Sequence, residues 1–120
     1  MCIRDRVGGV IESLINEIKI QGSELLVHLG PAISQSEYEV GSEVKTQFLD
    51  RNSIFERSFI EKNGKHYLDL YDAAKVILEG YGITSISGGG CCTYHDSNQF
   101  FSYRRDGECS GRMAHLIWKS

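Results

Sequence analysis

The sequence predicts an α/β (α+β mixed) protein in which helices are layered on a mixed β-sheet. Three observations predict it. Apolar residues recur at helical spacing in well-separated segments, short apolar runs bounded by Gly, Pro and Asn lie between them, and the two kinds of segment alternate without repeats or low complexity. The size agrees, because 120 residues with 41% hydrophobic and 24% charged side chains suit one globular domain. Such a domain buries roughly two thirds of its unfolded surface.

The elements follow in order. Val7, Val10, Ile11, Leu14 and Ile18 obey the i, i+3, i+4, i+7 rule for the apolar face of a first helix over Val7–Lys19, with Glu12, Asn16 and Lys19 opposite. Gln21-Gly22-Ser23 ends it, and Glu24 to Leu29 reads as a short, largely buried strand stopped by Gly30-Pro31. Ser42 is expected to cap a second helix with Val44, Phe48 and Leu49 on its inner face. Ile54–Glu61 and Lys65–Leu68 are expected strands around Asn63-Gly64, a strong hairpin signal because both turn residues tolerate positive φ. Asp69 is the expected N-cap of a third helix whose stripe is Leu70, Ala73, Ala74, Ile77 and Tyr81, with Gly80 and Gly82 as its left-handed stop. Ile83–Ser87 is an expected strand, Gly88–Gly111 an irregular segment and Arg112–Trp118 a final strand. An irregular stretch of 24 residues far exceeds an ordinary connection, and loops of that length usually carry function.

Charge and composition narrow the function. Thirteen Lys+Arg against 16 Asp+Glu give a net charge of -3, which argues against nucleic acid as a partner, since phosphate neutralisation needs a basic face. No apolar run reaches the roughly 18 residues of a membrane span, and no apolar signal region follows Met1. Four cysteines without regular spacing do not make a secreted disulfide framework, so a cytoplasmic protein with reduced thiols is expected. Residues 1–6, Met1-Cys2-Ile3-Arg4-Asp5-Arg6, read as the translation of a transposon adapter used in sequencing libraries. They are therefore set apart from the domain over 7–120.

The long segment holds most of the candidate chemistry. Cys92 and His95 stand three apart and Cys109 lies further on, donors that zinc accepts. Structural zinc sites use two close pairs, however, and only one exists here, so free buried thiols at Cys91, Cys92 and Cys109 are a stronger reading than a metal site that joins them with His95. Cys92 with His95 as base has only sequence proximity behind it. Gly88-Gly89-Gly90 offers backbone N–H groups but lacks the Lys-Ser/Thr ending of a P-loop, and reads as a turn. Arg104-Arg105, beside Phe100, Phe101 and Tyr103, suits a phosphate or a base. The alternative is that one Arg is held by a carboxylate such as Asp69 while the other is solvated. His28 reads as a hydrogen-bonded core or edge residue and His66 as a surface one.

Three blocks of the last third carry a resemblance: Cys92-Thr93-Tyr94, Phe100-Phe101-Ser102-Tyr103-Arg104-Arg105-Asp106-Gly107, and Gly111-Arg112-Met113-Ala114-His115-Leu116-Ile117-Trp118. Together they resemble the C-terminal signature of the bacterial polyphenol oxidase (multicopper polyphenol oxidoreductase, laccase-domain) family, regarded as zinc-dependent purine nucleoside phosphorylases. Leu29-Gly30-Pro31-Ala32-Ile33, Tyr38-Glu39-Val40-Gly41 and Leu68-Asp69-Leu70 support it in consistent order. Ser36-Glu37, where relatives often have a Cys pair, and the triple Gly depart from the pattern.

The resemblance implies that residues 7–120 are the C-terminal half of a single laccase-domain fold about twice this length. It implies zinc, or copper in older descriptions, held by two His and one Cys of the N-terminal half. The last of these belongs to a His-Ala-Gly-Trp-Arg-Gly motif just ahead of the first helix. No metal ligand is thus expected within this chain, and the chain alone is expected to be inactive. The implied substrates are purine nucleosides (inosine, adenosine, guanosine, methylthioadenosine) and inorganic phosphate, with adenosine deamination at the same site. Charge and position assign phosphate to Arg104 or Arg105, and the packing of the long loop against the sheet to the other Arg with Asp69, Arg112 and Tyr103. A second reading is a non-catalytic nucleotide- or anion-binding module that uses the aromatic-Arg loop.

Overall fold

The computed structural model describes residues 9–18, 25–90, 92–95 and 98–111. Among these residues five strands and four helices follow one another as α1 (Val10–Ile18), β1 (Leu26–Leu29), β2 (Glu39–Val40), α2 (Ser42–Arg51), β3 (Phe59–Lys62), β4 (Lys65–Leu68), α3 (Leu70–Gly80), β5 (Ser85–Gly88) and the single turn α4 (Tyr103–Asp106). Three 3-10 turns add Gln35–Glu37, Ser53–Ser58 and Gly107–Cys109. The expected α/β class is present, with helices against parallel and antiparallel strands. Among the described residues those strands form two sheets: β1 pairs with β5 in parallel, and β2-β4-β3 is antiparallel.

The core sits where α2, the Ser53–Ser58 turn, the antiparallel sheet and α3 meet. Phe48 from α2 is nearly sealed and takes Phe55 and Phe59 edge-on at 5.2 and 5.8 Å, an arrangement that aromatic quadrupoles favour. Leu68 and Ala73 close the cluster from β4 and α3. Asp69 caps α3 as expected, its carboxylate accepting from the Asp72 N–H at 3.0 Å. The hairpin forms at Asn63-Gly64 with φ of 54° and 72°, which gives the turn the twist its strands need.

Several local expectations are corrected. Gly41, not Ser42, is the N-cap of α2, and Ser42 starts the helix. Residues Ile54 to Ser58 form a 3-10 turn instead of strand, because the Asn52 side chain accepts from Ile54 N at 3.1 Å and its carbonyl from Phe55 N at 3.2 Å. Tyr81 lies past the α3 stripe as its C-cap, and Gly82 alone of the two glycines is left-handed, at φ 78°. Buried Ile83 donates to Leu78 O at 3.2 Å to finish the helix, so the next strand begins later, at Ser85. The strand at Leu26–Leu29 is not buried, since Leu26 is 86% exposed. The α1 stripe is also mostly bare: Ile11 reaches the core, while Val10, Leu14 and Ile18 face outward. Val7, Gln21-Gly22-Ser23 and the strand expected at Arg112–Trp118 lie outside the described residues.

Candidate functional site

The long segment after β5 is seated on residues 32–39. Glycine makes that possible at the first step. Gly88 has φ of 89°, and a Cβ there would run into the Leu29 carbonyl; Gly89 has φ of 93°, with the Tyr71 ring 3.3 Å from its Cβ position. Gly88 and Gly89 are therefore a close-approach turn, while Gly90 has open space around it. Parallel pairing resumes beyond it at Ala32 and Cys92, where Thr93 N donates to Ala32 O at 3.0 Å. Tyr71 Oη, from α3, accepts from Ala32 N at 2.8 Å and fixes the same strand from the other side. Further along the seam, Ser34 N donates to Cys92 Sγ at 3.3 Å and His95 Nε2 lies 3.0 Å from Glu37 Oε1.

The two adjacent arginines meet different surroundings. Arg105 is 19% exposed and works inside the loop. Its Nη1 donates to the carbonyls of Thr93 and Tyr94 at 2.9 and 2.8 Å, and its Nη2 to Phe100 O at 3.1 Å. Nε and Nη2 also fork onto the Asp106 carboxylate, at 3.1 and 2.9 Å. Hydrogen bonding from Arg105 holds the Asp106 carboxyl below its usual range, and the reciprocal bond raises the guanidinium further. Arg104 is exposed and lies 4.8 Å above the ring of buried Tyr38, with one bond from Nη1 to Glu39 O at 3.0 Å.

Cys92 is half-buried. Burial alone raises its thiol, yet hydrogen bonds from the Ser34 side chain and the backbone of His95, Ser34 and Tyr94 outweigh it and bring the thiol below its ordinary range. Among the described residues no three His, Cys, Asp or Glu side chains converge on one point.

Of the residues singled out in the sequence, the structure brings Cys92, His95, Arg104 and Arg105 to one seam. Asp69 stands at the β4–α3 junction as a helix cap, and the carboxylate that grips a loop arginine is its neighbour Asp106. Cys109 is exposed in the turn after α4. Arg112, Cys91 and the side chain of Tyr103 lie outside the described residues. His28 is an edge residue, its Nδ1 3.1 Å from Ser87 Oγ; His66 is half-buried in β4. Ser34, Glu37, Tyr38, Glu39 and Tyr71 join the seam without an expected site role; their signals in the sequence were Tyr38-Glu39 inside a family block and Ser36-Glu37 as a departure from it.

Among the described residues, fold and seam define an α/β domain with an arginine-braced loop laid over residues 32–39. The chain belongs to the family described as multi-copper polyphenol oxidoreductase laccase, whose pattern matches residues 3–120. It is 38% identical over 117 residues to a Pseudomonas aeruginosa protein named purine nucleoside phosphorylase, covering 96% of this chain and 48% of that one. The Escherichia coli K12 protein named purine nucleoside phosphorylase YfiH is 37% identical over 115 residues, covering 96% and 47%. A crystal structure of a Neisseria meningitidis protein superposes with a TM-score of 0.84 at 38% identity, over 88% of this chain and 44% of that one. The chain thus spans about half the length of the curated relatives it matches.

Proposed function

We propose that these residues supply the phosphate-handling part of a purine nucleoside phosphorylase of the relatives' length. The observation that carries this is the 37% and 38% identity, over nearly the whole chain, to proteins bearing that name. In the reaction an oxygen of inorganic phosphate attacks C1′ of inosine, adenosine, guanosine or methylthioadenosine. The C1′–N9 bond breaks, its electron pair leaves with the base, a proton restores the base N–H, and ribose 1-phosphate (or its methylthio analogue) remains. Phosphate needs a cation held in place before it arrives, and one arginine of the Arg104–Arg105 pair on the seam suits that need. Zinc, or copper in older descriptions, belongs to this reading as a cofactor that would activate water, as adenosine deamination requires, and the family resemblance puts its ligands in the N-terminal half of such a protein.

The test is base release from each nucleoside, with and without phosphate, by a zinc-replete protein of full family length that contains these residues. Equimolar base and ribose 1-phosphate from inosine, dependent on phosphate, is the expected result, and the 120-residue chain alone is expected to release none. Tight nucleotide binding without base release from any of the four nucleosides would overturn the phosphorylase in favour of a binding module.

A further inference from the structure

We propose that the adjacent guanidiniums divide the work, Arg104 contacting the anion and Arg105 positioning the loop that presents it. As far as the anion is phosphate in catalysis, this rests on the phosphorylase reading; the division itself rests on contacts alone.

Four arginines lie among the described residues with side chains in view. Arg51 pairs with Glu12, Arg57 with Asp72 and Glu79, and Arg105 with Asp106. Arg104 has no carboxylate within ion-pair distance among the described residues, in a chain whose net charge is -3. Its charge is thus unpaired among the described residues, and it is also held in place. The Tyr38 ring supports its face and Glu39 O takes one Nη1 hydrogen, while Nε and Nη2 have no partner among the described residues. A planar fork already stacked and anchored loses little freedom when an oxyanion takes its remaining edge.

Arg105 has the opposite character. Every nitrogen of its guanidinium already donates, to three carbonyls at positions 93, 94 and 100 and to Asp106. An anion could recruit it only by displacing those bonds and releasing the loop. Ser102 Oγ accepts from Arg105 N at 3.3 Å, and Asp106 N donates to Ser102 O at 2.9 Å, so the α4 turn that displays Arg104 is wound about the same clamp. Arg105 is a positioning residue.

Two experiments separate this division from the phosphorylase reading. In the full-length enzyme, Arg104→Ala should raise the KM for phosphate about tenfold or more, the loss of one charge-assisted contact, with the melting temperature unchanged. Arg104→Lys should recover part of that loss, because the charge survives. Arg105→Ala should lower the melting temperature and kcat for every nucleoside and open the loop to protease. Arg105→Lys should not rescue it, since a point donor cannot span three carbonyls and a carboxylate. In the 120-residue chain, Arg Nε–H resonances are followed as inorganic phosphate is added. The Arg104 signal should move while the Arg105 signal stays in place and exchanges slowly with solvent.

If no nucleoside is cleaved but Arg104 alone responds to phosphate, the division stands and the phosphorylase reading falls. A response from Arg105, from both arginines or from neither overturns the division, as does an Arg104→Ala enzyme with unaltered phosphate KM.

Discussion

At the scale of a residue, what a side chain meets decides its chemistry more than its type does. Cys92 and Cys109 share a loop, yet only Cys92 sits among N–H donors, at the point where pairing with Ala32 resumes. Hydrogen bonds to a sulfur favour the thiolate, and here they prevail over burial, so its alkylation by iodoacetamide should show a pH midpoint below that of a small free thiol. Ser34→Ala, which removes one of those bonds, should move the midpoint upward. Peptide-resolved mass spectrometry reads both, and a wild-type midpoint at or above that of a small free thiol would show that burial dominates. The sequence pointed at Cys92, His95 and the arginine pair because reactive types cluster there. It gave no means of ranking them, because their partners (the Ala32, Thr93, Tyr94 and Phe100 carbonyls, the Tyr38 ring, the Ser34 N–H) become neighbours only through the fold.

Elements were legible where one local interaction decides them. Asn63-Gly64 makes its turn and Asp69 its cap because the required φ values and the carboxylate-to-N–H bond lie within three residues. Ser42 and Ile54–Ser58 went astray by one residue and by one turn: Gly41, extended and without a side-chain bond, takes the cap position, and the Asn52 side chain winds the chain before it can extend. The two helix starts therefore answer differently to substitution. Asp69→Ala should cost about 1 kcal/mol, while Ser42→Ala, which removes no cap bond, should stay within about 0.5 kcal/mol. Urea unfolding measures both, and Asp69→Asn should keep most of the stability since its amide oxygen still accepts. Equal losses at the two positions would mean that the Asp69 bond does not hold α3. The expected burial of Glu24–Leu29 failed for a non-local reason: an apolar run becomes a buried strand only where other layers cover it, and β1 has β5 as its one described partner.

Across the whole molecule, apolar surface is distributed unevenly. The α2–α3 side closes around Phe48, whereas α1 turns Val10, Leu14 and Ile18 outward, Leu14 at 60% exposure, and β1 leaves Leu26 uncovered. Parallel strands are ordinarily covered on both faces, and single exposed side chains are common, but a helix stripe together with a bare parallel pair is surface of the kind that associates. Whatever covers these faces in a protein of the relatives' length, the 120-residue chain by itself should bury them against any apolar surface within reach. It is expected to bind a hydrophobic dye such as ANS and to self-associate with rising concentration in sedimentation velocity. Leu14→Lys and Leu26→Lys, combined, should reduce both signals. Neither side chain touches the Phe48 cluster, so each should change unfolding free energy by no more than about 0.5 kcal/mol. Phe48→Ala is the contrasting control: it opens the Phe48–Phe55–Phe59 cluster and should cost about 3–5 kcal/mol. A wild-type chain that stays monomeric and dye-free at high concentration would mean that α1 and β1 are finished surfaces. Association that persists in the double-lysine variant would move the sticky surface elsewhere, with the outer face of the antiparallel sheet at Ile60 the next to examine.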